Sequence, residues 1–140
     1  MLILVGDGAT PEVFAAPCGL TSKGFDTAAS SNEVAVPDCD DPDAPAWIER
    51  VVKSLSSKVT GSGVLAAESF DVWRDWSLSG LAKNVRVELQ PPTGSTGLAL
   101  GYYAGSFILS AFSLKAALGD KVTVDVTMDS DGQVTWVPVP

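Results

Sequence analysis

Apolar and polar residues alternate along most of this chain, and the period changes only once. From Lys53 to Leu65, Leu55, Val59 and Leu65 fall on one phase of a two-residue repeat, together with Gly61 and Gly63. Ser54, Ser56, Lys58, Thr60 and Ser62 fall on the other. From Glu68 to Leu78 the spacing becomes helical, with Phe70 and Trp73 on one stripe and Val72 and Trp76 beside it. Gly80 supplies the stop that helices favour. A strand this polar on one face needs cover on the other, and the helix is the nearest candidate. Phe70, Trp73 and Trp76 are therefore expected to turn toward the core.

The rest of the chain can be placed around that pair. Leu2 to Val5 reads as a first short strand with Gly6-Asp7-Gly8 as its turn, and Val13 to Ala16 as a second. Leu20 to Ser30 has strand-like extension but small side chains, which suit a surface packed against another chain or lining a cavity. Glu33 to Val36 extends toward Pro37–Pro45, a loop with four aspartates and three prolines. The loop is expected to be an extended acidic arm, with Trp47-Ile48 as the apolar anchor where it rejoins the body. Val85, Val87 and Leu89 alternate with Arg86, Glu88 and Gln90 in a strand closed by Pro91-Pro92, and Thr93 to Gly97 reads as a loop.

Gly101 to Leu114 has Phe107 and Leu109 on one face and Ile108 and Phe112 on the other, a pattern that predicts burial on both sides. Gly119-Asp120 makes a turn. Val122, Val124, Val126 and Met128 then alternate with Thr123, Asp125 and Thr127. Asp129 to Gly132 reads as a hairpin turn that returns the chain into Val134–Val137. The sum is seven or eight strands and one mid-chain helix. That makes a mainly β, antiparallel sandwich or barrel with one short α-helix, in a single domain over 1–140 with an extended acidic loop at about 37–46.

Charge and composition narrow the function. With 17 acidic and 9 basic residues the net charge is −8, so the chain is poorly suited to gripping nucleic acid through its phosphates. Hydrophobic residues make up 46% of the chain and mean hydropathy is +0.22, which suggests burial in an assembly as well as in the fold. No apolar run approaches the ~20 residues needed to cross a bilayer, and Met1 to Val5 makes a poor signal peptide. Cys18 and Cys39 are read either as two unpaired thiols or as one bridge tying the N-terminal segment to the acidic loop.

Catalytic chemistry is not visible. The chain has no histidine, hence no Ser-His-Asp or Cys-His set, and its two cysteines are too few for a zinc site. Asp38, Asp40, Asp41 and Asp43 offer oxygen ligands for calcium, but without EF-hand spacing; a solvated arm that touches a neighbouring subunit is the other reading. Glu68, Asp71 and Asp75 read as a solvated helix face paired with Arg74. No enzyme and no cofactor is expected.

Lys58-Val-Thr-Gly-Ser-Gly-Val-Leu65 followed by a helix resembles the central strand and helix of tail tube proteins from long-tailed bacteriophages and gene transfer agents. The C-terminal half is similar to that family too, with a strand around Gly105–Leu114, then Gly119-Asp120-Lys121-Val-Thr-Val, then Ser130-Asp131-Gly132-Gln-Val-Thr135. The matched segments cover about half of the chain. The resemblance implies a structural virion subunit that joins five others in a ring. Stacked rings would form a tube, and one sheet of each subunit would line a lumen through which DNA passes without specific binding. On that reading Ser22, Asp26, Ser54, Ser56, Lys58, Thr60, Ser62, Thr123, Asp125 and Thr127 face the lumen, with Lys58 an isolated positive charge on an acidic wall. Asp38, Asp40, Asp41, Asp43 and Trp47 form an inter-subunit arm. Implied partners are further copies of the chain and the tape measure, tail terminator and baseplate or tip proteins, with no membrane. The implied location is the virion tail, assembled in the host cytoplasm. A tube or joining protein of a related contractile particle, and a secreted β-sandwich binding or adhesion module, are the alternatives.

Overall fold

The computed structural model describes residues 1–89 and 100–138. Gln90 and the Pro91–Gly97 readings above, like the chain's last two residues, lie outside them. The elements in order are β1 (Leu2–Gly6), β2 (Phe14–Ala15), β3 (Leu20–Val36), β4 (Trp47–Val64), α1 (Ala67–Ser79), β5 (Lys83–Leu89), β6 (Gly101–Lys115), β7 (Thr123–Ser130) and β8 (Thr135–Pro138). The fold is mainly antiparallel β with one helix, as the pattern predicts.

Hydrogen bonds join the strands in the order β2-β1-β5-β6-β7-β4-β3, and β8 also pairs with β6. One face of this sheet carries the core: Ile3, Val5, Val59, Val85, Val87, Phe107, Val124, Val126 and Met128 are all buried. The sheet curls around that face. Phe25 on β3 stacks on Tyr103 of β6 with ring centroids 4.6 Å apart, although β4 and β7 lie between them in the ladder. Three strand spacings laid flat would separate them by roughly 14 Å.

Helix α1 closes the core. Trp73 and Trp76 are 1% exposed, stacked at 6.0 Å, and join the sheet residues in one cluster. The Trp76 indole Nε1 donates to the carbonyl of Leu81 at 2.8 Å, so its one polar atom is satisfied on the way in. Ser69, also buried, donates to the carbonyl of Cys18 and so ties the start of the helix to the segment before β3. Phe70 is only half-buried, under Arg74, whose guanidinium lies 5.3 Å from its ring. Gly80 ends the helix in the left-handed conformation expected of it.

Gly63 has a different reason to be glycine. A Cβ there would collide with the carbonyl oxygen of Gly19, where the chain enters β3. At the other end of the sheet, Asp7 organises the β1–β2 turn by accepting from the backbone N–H groups of Ala9 and Val13. These bonds, that to Ala9 first, hold its carboxyl below the usual aspartate range.

Three expectations about the course of the chain are corrected. Strand β6 is not buried on both faces: the register shifts between Leu109 and Ala111, and this bulge re-phases the strand. Phe112 is thereby paired with Val126 and packs on the core with Phe107 and Leu109, while Ile108 is exposed on the opposite face. Asp129–Gly132 is not a hairpin turn either. Strands β7 and β8 both run antiparallel to β6, at Phe107–Lys115 and Gly101–Ala104 respectively, so they lie end to end in the same direction. Residues 131–134 are an excursion in one long line rather than a reversal, and the Asp131 N–H donates to Ser106 where the excursion begins. The third correction concerns Trp47, taken up next.

Candidate functional site: a polar sheet face and a projecting ribbon

Directly opposed residues of an antiparallel pair project to the same side of the sheet. Strands β3, β4 and β7 are aligned in rows. Ser22, Ser62 and Asp125 share one row, Gly24, Thr60 and Thr127 the next, and Asp26, Lys58 and Asp129 the third. Val64 and Thr123 pair above them, and Ala28–Ser56 and Ser30–Ser54 continue below on β3 and β4. All ten residues singled out on the polar phases (Ser22, Asp26, Ser54, Ser56, Lys58, Thr60, Ser62, Thr123, Asp125, Thr127) therefore lie on a single face. The alternate rows, Val59–Met128, Gly61–Val126 and Gly63–Val124, point the other way into the core.

The charge on this face differs from the expectation. Lys58 is not isolated: its neighbours in register are Asp26 and Asp129. Lys115, opposite Thr123, adds a second cation to the same side. Three carboxylates against two lysines make this patch a hydroxyl-rich, nearly neutral surface. Much of the chain's acidity lies elsewhere, in Asp38, Asp40, Asp41 and Asp43.

Those aspartates cap the second feature. β3 and β4 pair along their whole length, from Leu20–Gly63 to Val36–Trp47, but β4 pairs with β7 only from Lys58 onward. At the point of departure the buried Ser57 donates its N–H to Ser130 Oγ at 2.9 Å, which ends the shared ladder. Beyond it the two strands continue as a ribbon of roughly 35 Å. Residues 37–46 are its tip, and the Asp38 carboxylate accepts from the Asp40 N–H. Trp47, expected to anchor the arm to the body, is instead at the far end and 84% exposed. Val51, Val34 and Val36 share its face, while Ile48, Val52 and Leu55 lie on the other, and all are exposed. Nothing in the amphipathic pattern up to Ser30 signalled that β3 runs on to Val36. The clue was the matched lengths of extended sequence on both sides of the proline-rich tip.

A register shift at Lys53 puts an extra residue into the β4 edge of the ribbon, and an ion pair between Arg50 and Glu33 at 3.1 Å crosses it further out. Where the ribbon leaves the body, a groove of about 490 Å³ opens between Thr27–Ala29 and residues 130–134.

Cys18 and Cys39 are both free and exposed, so the bridge reading is not what the structure has. Cys18 Sγ lies 3.4 Å from the Glu68 carboxylate. Arg74 pairs with Asp71 at 3.1 Å and Asp75 at 3.2 Å, as the helix spacing suggests. Among the described residues no three His, Cys, Asp or Glu side chains are grouped to hold a metal ion.

The model of the phage tail tube protein family matches residues 1–136. The chain belongs to that family. Tail tube proteins are structural, and this one is a structural component of that kind rather than a member of a catalytic family. Solved structures show the same fold. The tail of an empty gene transfer agent particle, refined with C6 symmetry, superposes with a TM-score of 0.73 at 16% identity over 96% of this chain and 95% of that one. The native gene transfer agent virion gives 0.71 at 16% identity over the same shares. The SPP1 tail tube gives 0.66 at 9% identity, covering 99% of this chain and 76% of that one. No curated protein matches by sequence. Family membership displaces the adhesion-module alternative.

Proposed function

We propose that six copies of this tail tube protein close into a ring, that rings stack into the tail tube, and that the polar face of β3, β4 and β7 lines its channel. The observation that carries this reading is the row alignment. Ten polar-phase side chains fall on one sheet face, while the alternate rows from Val59–Met128 to Gly63–Val124 point into the core. A sheet face this long, dressed with hydroxyls and without a cover from the described residues, suits a wall in contact with water. DNA would move along it without adhering: the serines and threonines carry no charge, and Lys58 is flanked by Asp26 and Asp129. A phosphate backbone gains little there from counterion release, the main source of non-specific affinity. The ring symmetry is supported by the C6 tail to which the fold is similar. The ribbon with Asp38, Asp40, Asp41, Asp43 and Trp47 is the inter-subunit arm. Tape measure, tail terminator and baseplate or tip proteins are the expected further partners, in a virion tail assembled in the host cytoplasm.

The test is to image tubes of the purified chain by electron cryo-microscopy with a gold cluster on Ser62→Cys, in a Cys18→Ser/Cys39→Ser background. Added density on the tube axis is expected, and the same label on Asp71→Cys should fall at the periphery. Peripheral density from the Ser62 position would overturn the assignment.

A further inference from the structure

The ribbon tip and the β6–β7 turn lie at opposite ends of the molecule along the strand direction. Strand β6 runs from Gly101, on the ribbon's side, up to Lys115, and β7 descends again from Thr123 to Asp129, opposite Lys58 where the ribbon departs. One end therefore carries the tip with its four aspartates. The other carries the turn between Lys115 and Thr123.

The cations of the chain single out that turn. Arg50 and Arg74 are in ion pairs, and Arg86 lies between the rings of Phe14 and Tyr102, at 3.9 and 4.9 Å. Lys23 donates to the carbonyl of Met1, Lys83 is half-buried near Asp7, and Lys58 has aspartates on both sides. Lys53 belongs to the ribbon itself. Lys115, at the end of β6 on the edge of the polar face, and Lys121 remain, both exposed, at either side of the β6–β7 turn, whose one acid is Asp120. The two ends also match in apolar character. Leu118, at the apex of the turn, is fully exposed at 106%, with Leu114 and Val122 partly exposed at its base, while the ribbon presents Trp47 and Ile48 just behind the acidic tip.

We propose that the ribbon tip of one copy docks on the β6–β7 turn of the next, with the aspartates meeting Lys115 and Lys121 and Trp47 covering Leu118. This rests on the tube reading and names the contact that would join its rings. Because the two surfaces differ and sit at opposite ends, the contact is head-to-tail and does not close on itself, which is the kind that grows filaments.

The chain contains its own probe, since Cys39 lies in the tip and is free and exposed. In a Cys18→Ser background, Leu118→Cys under mild oxidation is expected to give a non-reducing ladder extending to high polymers, because a disulfide needs Cα atoms within ~7 Å. The same background without Leu118→Cys should give no ladder. As a second reading, Lys115→Glu/Lys121→Glu should raise the protein concentration needed for tubes about tenfold, and adding Asp40→Lys/Asp41→Lys should restore it. Tubes from the parent chain with no ladder, or with cross-linking that stops at dimers, and with no effect of charge reversal, would overturn the proposal while leaving the tube reading intact. If the parent chain forms no rings or tubes under any condition, the tube reading itself fails.

Discussion

At the scale of single residues, the side chains that fix this fold are those whose spacing reads helical within an otherwise alternating chain. Trp73 and Trp76 repeat at three residues and are both fully buried, whereas Leu78, equally hydrophobic, is 80% exposed. Trp73→Ala is expected to cost about 3–5 kcal/mol of stability in urea unfolding of the isolated subunit, through the cavity it leaves. Leu78→Ser should stay within ~0.5 kcal/mol of the parent. Much of this was legible beforehand, because stripe position and side-chain size point to burial. Phe70 was not. It belongs to the same stripe as Trp73, yet it is only half-buried, with Arg74 over its ring, and spacing alone carries no information about which neighbour covers a face.

At the scale of elements, strands whose alternation is unbroken were easy to place and those with an inserted residue were not. β7 alternates cleanly, and Val124, Val126 and Met128 are all buried as its pattern predicts. β6 looks apolar on both faces only because Ser110 is an extra residue at its bulge, where its hydroxyl donates to the carbonyl of Thr127. Deleting Ser110 should turn Phe112 away from the core, or force Phe107 and Leu109 out, because a one-residue slip exchanges the faces of a strand. The deletion variant is expected in the insoluble fraction, while Ser110→Ala should be recovered folded, with a circular dichroism spectrum like that of the parent. The end-to-end placement of β7 and β8 was likewise hidden. Asp-Ser-Asp-Gly is good turn chemistry, and whether a turn reverses a strand or only interrupts it is decided by the partner, here the fifteen residues of β6.

At the scale of the whole molecule, the core draws on only part of the chain, and the proposed assembly arm lies outside it. The curled sheet and α1 hold the core, and the ribbon beyond Ser57 contributes nothing to it: Val34, Val36, Ile48, Val51, Val52 and Leu55 are all exposed. Replacing residues 38–45 by a two-residue Asn-Gly turn should therefore leave the urea midpoint of the subunit unchanged. It should also abolish stacked tubes in electron micrographs. Unchanged tubes would remove the arm from the contact. The polar face was legible in the sequence because a period of two needs no knowledge of the partner strand. The charge balance on it was not, because Asp129 lies on a strand distant in sequence and meets Lys58 only through register, and the placing of Lys115 opposite Thr123 likewise depends on the register of β6 with β7.

Until it meets a neighbour, the ribbon is paired within itself but open along its two outer edges, and edges of this length are ordinarily an invitation to cross-β aggregation. The extra residue at Lys53 interrupts the even spacing of N–H and C=O groups along the β4 edge and sets a charge there. Pro37, Pro42 and Pro45 take donors away from the tip. In the free subunit this irregularity is expected to discourage indiscriminate strand addition. On the proposed docking, polymerisation would then be governed by recognition between specific ends rather than by the general stickiness of exposed β-structure.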